Sequence, residues 1–186
     1  MNPWAAIVGR TEHGKHEATL GVMEGLRAGG FRVGGALQVR ASSAPPKGTT
    51  DEAPPEGVWA YDLLDLATGA RIPVAKWSRQ PEICDYRFER EALERGRSWV
   101  LAPGLDAVLL EVGHLEARGE GHWPAVLAVL SGPPRLVLLR VRPDVLFQVT
   151  ERLPAPVAGL ELPVLRAALD GFVSEVVGAC ATLRGS

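Results

Sequence analysis

An apolar run that stops on a glycine and passes at once into a helical period is compatible with few folds. Residues 4–8 (WAAIV) carry no charge and end at Gly9, as does a parallel strand buried on both faces. From Lys15 to Ala28, the residues Ala18, Val22 and Leu26 recur at helical spacing, with Leu20 and Met23 widening the stripe. Gly29-Gly30 then ends the helix. Residues 31–40 (FRVGGALQVR) read as a second strand in which Gly34-Gly35 marks a bulge or a close backbone approach. Strand, helix, strand is a βαβ unit, with a right-handed crossover expected.

The rest of the chain extends this alternation. Residues 41–57 are rich in Ser, Pro, Thr and Gly without a period, which predicts an exposed loop. Residues 58–66 (VWAYDLLDL) and 71–77 (RIPVAKW) flank Ala67-Thr68-Gly69-Ala70, a hairpin pattern, and Pro73 points to an edge strand. Helical spacing is read over Phe88 to Val100, with Ala92, Leu93 and Trp99 on one side. Asp106 to Val112 and Arg135 to Val141 are apolar strands, and Trp123 to Leu130 is a helix between them. Asp144 to Leu153 reads as a helix with Pro143 in its first turn. Leu162 to Leu183 reads as a long closing helix, its inner side carrying Val164, Leu165, Ala168, Leu169, Phe172, Val176, Val177 and Cys180. The expected fold is α/β in three α/β/α layers: one domain over 1–186, a mostly parallel sheet, and an antiparallel β-hairpin inserted at 58–77.

The turn between the first strand and helix carries chemistry. Gly9-Arg10-Thr11-Glu12-His13-Gly14-Lys15-His16 satisfies G-x-x-x-x-G-K-[ST] except at its last position. In such a turn the backbone curls so that N–H groups face a phosphate, the helix N-terminus adds partial positive charge, and the lysine reaches the terminal phosphates. The alternative is a glycine-punctuated turn that never meets phosphate. His16 stands where a Mg²⁺-ligating hydroxyl belongs, and a neutral imidazole is a poor ligand for a hard cation. Glu12 lies inside the loop, where a carboxylate repels phosphate unless it turns outward. A central glycine is also lacking, which limits the curl.

Charge and composition narrow the classes. The net charge of −2 gives no global basic field for nucleic acid or an anionic membrane. No apolar run approaches the roughly 20 residues that span a bilayer, and no secretory leader pattern opens the chain. Cys84 and Cys180 make neither a disulfide framework nor a metal-type pair, so the cytoplasm is the expected compartment.

On these residues the chain resembles the small P-loop nucleoside-triphosphatases, cancer-related and thermophile-type, and a related bacterial branch. The resemblance runs from about residue 4 to residue 152. It covers the N-terminal turn, residues 30–38 on the second strand, residues 65–74 in the hairpin, Tyr86-Arg87-Phe88, and residues 109–116 (LLEVGHLE). It implies a P-loop NTPase-like fold that binds ATP or GTP with Mg²⁺ and hydrolyses it slowly. Counting back from Gly113, the family's glutamate falls on Glu111 and its magnesium-associated aspartate on Leu110. Both magnesium positions therefore differ, at His16 and at Leu110. Glu111 is the candidate catalytic residue, as a base that orients water; its plainer reading is a polar residue ending a strand.

All four histidines lie in two segments, His13 and His16 in the first turn, His114 and His122 after the Glu111 strand. Ligands of doubly wound sheets bind beyond the C-terminal strand ends, so these segments can face one crevice. A transition-metal site is chemically conceivable there, as is direct contact of imidazoles with phosphate. Trp59 and Trp77 offer either a stacking surface or simple hairpin packing. The residues support two functional expectations. The first is a protein that binds a nucleoside triphosphate or another small phosphate compound, with weak or absent Mg²⁺-dependent hydrolysis. The second is a non-catalytic binding or regulatory module that senses a metal or oxyanion.

Overall fold

The computed structural model describes residues 1–10, 13–41, 58–133 and 135–185. In chain order they form β1 (Trp4–Val8), α1 (Lys15–Ala28), β2 (Val33–Arg40), β3 (Ala60–Asp65), β4 (Arg71–Trp77), β5 (Tyr86–Phe88), α2 (Arg90–Val100), β6 (Ala107–Val112), α3 (His114–Ala117), α4 (Trp123–Ser131), β7 (Leu136–Val141), a 3₁₀ turn (Pro143–Val145), α5 (Leu146–Thr150), β8 (Ala158–Glu161) and α6 (Arg166–Arg184). The strands make one sheet in the order β5-β4-β3-β2-β6-β7-β1-β8. Pairing is parallel from β2 to β8 and antiparallel through β3, β4 and β5.

Helices cover both faces, and strand parity sorts the core. Ala5 and Ile7 of β1, Ala107 and Leu109 of β6, and Leu136 and Leu138 of β7 pack with Val22 and Leu26 of α1 and with Phe172 and Val176 of α6. The alternate residues, Ala6 and Val8, Val108, Leu110 and Val112, and Val137, Leu139 and Val141, pack with Val126 and Val129 of α4 and Val100 of α2. By the same period of two, Glu111 and Arg140 fall on the α1 face.

Two glycines are required by geometry. Gly35 has φ 125°, and a Cβ there would overlap the Leu109 carbonyl oxygen on the neighbouring strand. The close approach expected from Gly34-Gly35 is therefore real, and it lets β2 lie against β6. Gly14, at φ 84°, turns the chain into α1, a conformation that strains L-residues.

Several sequence expectations need correction. Pro73 is not on the sheet's edge strand, because β5 pairs with β4. That pairing reaches only Ala75 to Trp77, so Pro73 takes no part in it and its missing N–H costs the β4–β5 ladder nothing. Phe88 belongs to β5 (Tyr86–Phe88), not to the helix after it, which begins at Arg90. The helix expected over 144–153 is a 3₁₀ turn and the five-residue α5. The closing helix begins at Arg166, so Val164 and Leu165 precede it and are exposed, and Ala168 is exposed too. Strand β8, which closes the sheet beside β1, carries only four residues and too short a pattern to be read. The loop expected over 41–57 lies outside the described residues, except Ala41.

Candidate functional site

Lys15 is the first residue of α1, and its side chain is 2% exposed. Its backbone carbonyl accepts a 2.6 Å bond from the Thr19 hydroxyl. Its ammonium donates to Glu111 Oε1 at 2.9 Å, across 96 positions of sequence. Glu111 stands near the C-terminal end of β6, one position before its last residue, and its other oxygen, Oε2, lies 3.7 Å from Arg140 Nη2. Residues 111 and 140 are register partners, as are Ile7 and Arg140. Strand β7 therefore carries Arg140 between the strand that leads into the phosphate-loop turn and the strand that ends near Glu111.

Arg140 is buried. Its Nε and Nη1 have no hydrogen-bond partner among the described residues. Buried guanidinium nitrogens are normally paired, because an unmade bond at a charged group is costly. The Arg140 Nη2–Glu111 distance of 3.7 Å is also too long for a good charge-assisted hydrogen bond.

A cavity of about 730 Å³ opens beside this group, lined among others by Arg10, Lys15, His16, Glu111, His114 and Arg140. The size is ordinary for a small-molecule site. A second ionic group, Arg142, Asp144 and His114, also lines it. Arg142 Nε and Nη2 donate to Asp144 at 3.1 and 3.0 Å, and His114 Nε2 lies 3.3 Å from the same carboxylate. The Arg142 hydrogen bond holds the Asp144 carboxyl below its ordinary range, against a smaller desolvation effect.

Glu116, also in the cavity lining, is buried and accepts from the backbone N–H of Gly113 at 3.0 Å and of His122 at 2.8 Å. Burial by itself raises this carboxyl, but the bonds and charge of His122 outweigh it and leave the group lowered. Glu116 thereby ties the start of α3 to the start of α4 and fixes the chain just after Glu111.

The arrangement can be compared with known proteins. No protein-family model and no curated protein matches the sequence. Among solved structures, the solution structure of a human cancer-related nucleoside triphosphatase matches with a TM-score of 0.66 at 15% identity, covering 97% of this chain and 98% of that one. The crystal structure of THEP1 from the hyperthermophile Aquifex aeolicus matches with a TM-score of 0.57 at 15% identity, covering 94% and 97%. The fold is P-loop NTPase-like.

Within that fold, the structure brings together some of the residues singled out in the sequence. Gly9, Arg10, Gly14, Lys15 and His16 come after β1, and Lys15 meets Glu111 directly. Thr11 and Glu12 lie outside the described residues. Leu110 is fully buried on the opposite sheet face from Glu111. His16, His114 and His122 line the same cavity, but they have separate surroundings. His114 faces Asp144, buried His122 faces Glu116 at 3.6 Å, and His13 and His16 are exposed. Among the described residues no group of three or more His, Cys, Asp or Glu side chains is placed to hold a metal ion. No described helix is long and apolar enough to cross a membrane. Trp59 and Trp77 pack edge to face, with centroids 5.5 Å apart.

Sequence reasoning missed Arg140, Arg142 and Asp144. The signal for Arg140 was present: one arginine inside an otherwise apolar strand, LVLLRV. Its burial depends on which strands flank β7, which local pattern does not encode.

Proposed function

We propose that this protein binds a nucleoside triphosphate, or another small polyphosphate, in the cleft that Lys15 enters, and that hydrolysis there is weak. The observation that carries the reading is the buried ammonium of Lys15 at the start of α1, behind a left-handed Gly14 and beside a cleft of about 730 Å³. A phosphate at that point would meet the partial positive charge and the unpaired N–H groups of the first helical turn. The likeness to a protein described as a nucleoside triphosphatase supports the same class of ligand. Glu111 would orient a water molecule for attack on the terminal phosphate.

The Lys15–Glu111 bond supports slow turnover. Lys15 and Glu111, the proposed phosphate-binding cation and the candidate base, neutralise each other, so a ligand must part them before either acts. The residues do not fit a magnesium ion. His16 supplies no hard oxygen, Leu110 is sealed in the core, and Glu111 is already flanked by Lys15 and Arg140. A dication at Glu111 would be repelled by both.

The same observation supports the second reading, a module that binds phosphate without cleaving it. Equilibrium binding and turnover of ATP and GTP, with and without Mg²⁺, separate the two. Binding with phosphate release, both abolished in Lys15→Ala, supports an enzyme. Binding without release supports the module. Absence of binding to any nucleotide overturns the proposal.

A further inference from the structure

Two nitrogens of Arg140, Nε and Nη1, have no hydrogen-bond partner among the described residues, and the same guanidinium lies 3.7 Å from the carboxylate that phosphate binding would disturb. When Lys15 turns to a phosphate, Glu111 loses its 2.9 Å partner and would be left as an unpaired carboxylate close to an anion. In a magnesium-dependent site a metal ion supplies the compensating charge. Here Arg140 is already in place, on the same face, in register with Glu111 and 3.7 Å from Oε2. Its Nε and Nη1 have no partner among the described residues, and the side chain is buried, where a charge-assisted bond is strong.

We infer that Arg140 replaces the divalent cation as the counter-charge of Glu111, so that this site takes its phosphate ligand in the metal-free form. The inference rests on the proposed phosphate-binding function of the cleft. On ligand entry, Lys15 exchanges Glu111 for phosphate oxygen, and Glu111 closes onto the guanidinium, pairing with Nη2 and one of the two free nitrogens beside it and leaving the other to the ligand. Two cations, Lys15 and Arg140, then face one carboxylate and the ligand, which leaves no charge for Mg²⁺ to compensate. Arg140 acts through Glu111 and is a positioning residue.

The test measures binding of a fluorescent ATP analogue and of inorganic triphosphate to the full chain, in EDTA and in excess Mg²⁺. Wild type should bind in EDTA and bind more weakly when Mg²⁺ complexes the ligand. Arg140→Met should lose about tenfold to a hundredfold in EDTA, the range of one charge-assisted hydrogen bond, and should recover part of that loss when Mg²⁺ is added. Arg140→Lys keeps the charge without the planar fork and should lose less than Arg140→Met. It also serves as the readout if the methionine variant fails to fold. Wild-type binding that requires Mg²⁺ overturns the inference and leaves the phosphate site standing. So does an equal loss in Arg140→Met with and without Mg²⁺, which would mark a purely structural arginine. No binding of either probe under any condition overturns the phosphate site itself, and the inference with it.

Discussion

Glu111 is held by two buried cations, Lys15 at the start of α1 and Arg140 on β7. Removing its charge frees Lys15, which makes the neutral variant informative. In Glu111→Gln the competition for Lys15 disappears, so phosphate ligands should bind about tenfold more tightly, the value of one released charge-assisted bond. Any turnover should fall by about a hundredfold or more, the usual contribution of a positioned base. Isothermal titration and a phosphate-release assay read the two effects, and tighter binding with unchanged turnover would remove Glu111 from the chemistry. Lys15 and Glu111 were each legible as single residues, one from a turn motif and one from a strand end. Their 2.9 Å bond was not, because it joins segments 96 positions apart.

At the scale of elements, the site depends on how β6 is held against β2 and on how the α3–α4 segment is anchored beyond it. Gly35→Ala would push a methyl group into the Leu109 carbonyl at a positive φ. The variant should lose about 1–3 kcal/mol from backbone strain and a comparable amount from overpacking, measured by urea unfolding. Glu116 ties α3 to α4 through two backbone N–H groups. Glu116→Ala should cost about 2–6 kcal/mol, since each of its two orphaned donors costs about 1–3. Because the folded Glu116 carboxyl lies below its ordinary value, its contribution is fully present at neutral pH. It is lost as pH falls below the usual carboxylate range and through the lowered folded value. Unfolding midpoints measured from neutral pH downward should drop less steeply in Glu116→Gln than in wild type. The element patterns themselves are mostly readable: β1, α1, β2, the hairpin, β6 and β7 lie close to where their periods place them. The short elements β5, α3 and β8 are not readable, because they lack the unbroken apolar run that marks the equally short β1, and α5 is read only as part of a longer helix.

For the whole molecule, α6 packs against α1 and β7 and so backs the face on which the site is built. Phe172, on the inner side of α6, is buried with Val22 and Leu26 of α1. Phe172→Ala should cost about 3–5 kcal/mol, seen in chemical unfolding as a lower midpoint. Cys180, buried on the same helix, has its thiol pushed up to about 11 by burial. It should resist thiol reagents at neutral pH until the chain unfolds, whereas exposed Cys84 should be labelled in the native protein.

The sequence by itself determined the local units: where strands and helices alternate, which glycine-bounded turn carries the lysine, and which sheet face each side chain takes. Those properties come from periods of two and 3.6 residues and from turn chemistry, all short-range. Tertiary structure alone decided the strand order. By inserting β7 between β1 and β6, it set Arg140 beside Glu111 and placed a second buried cation in a site where the turn motif announced only one. Strand order arises from burying two sheet faces at once, a condition on the whole chain that no local stretch can express.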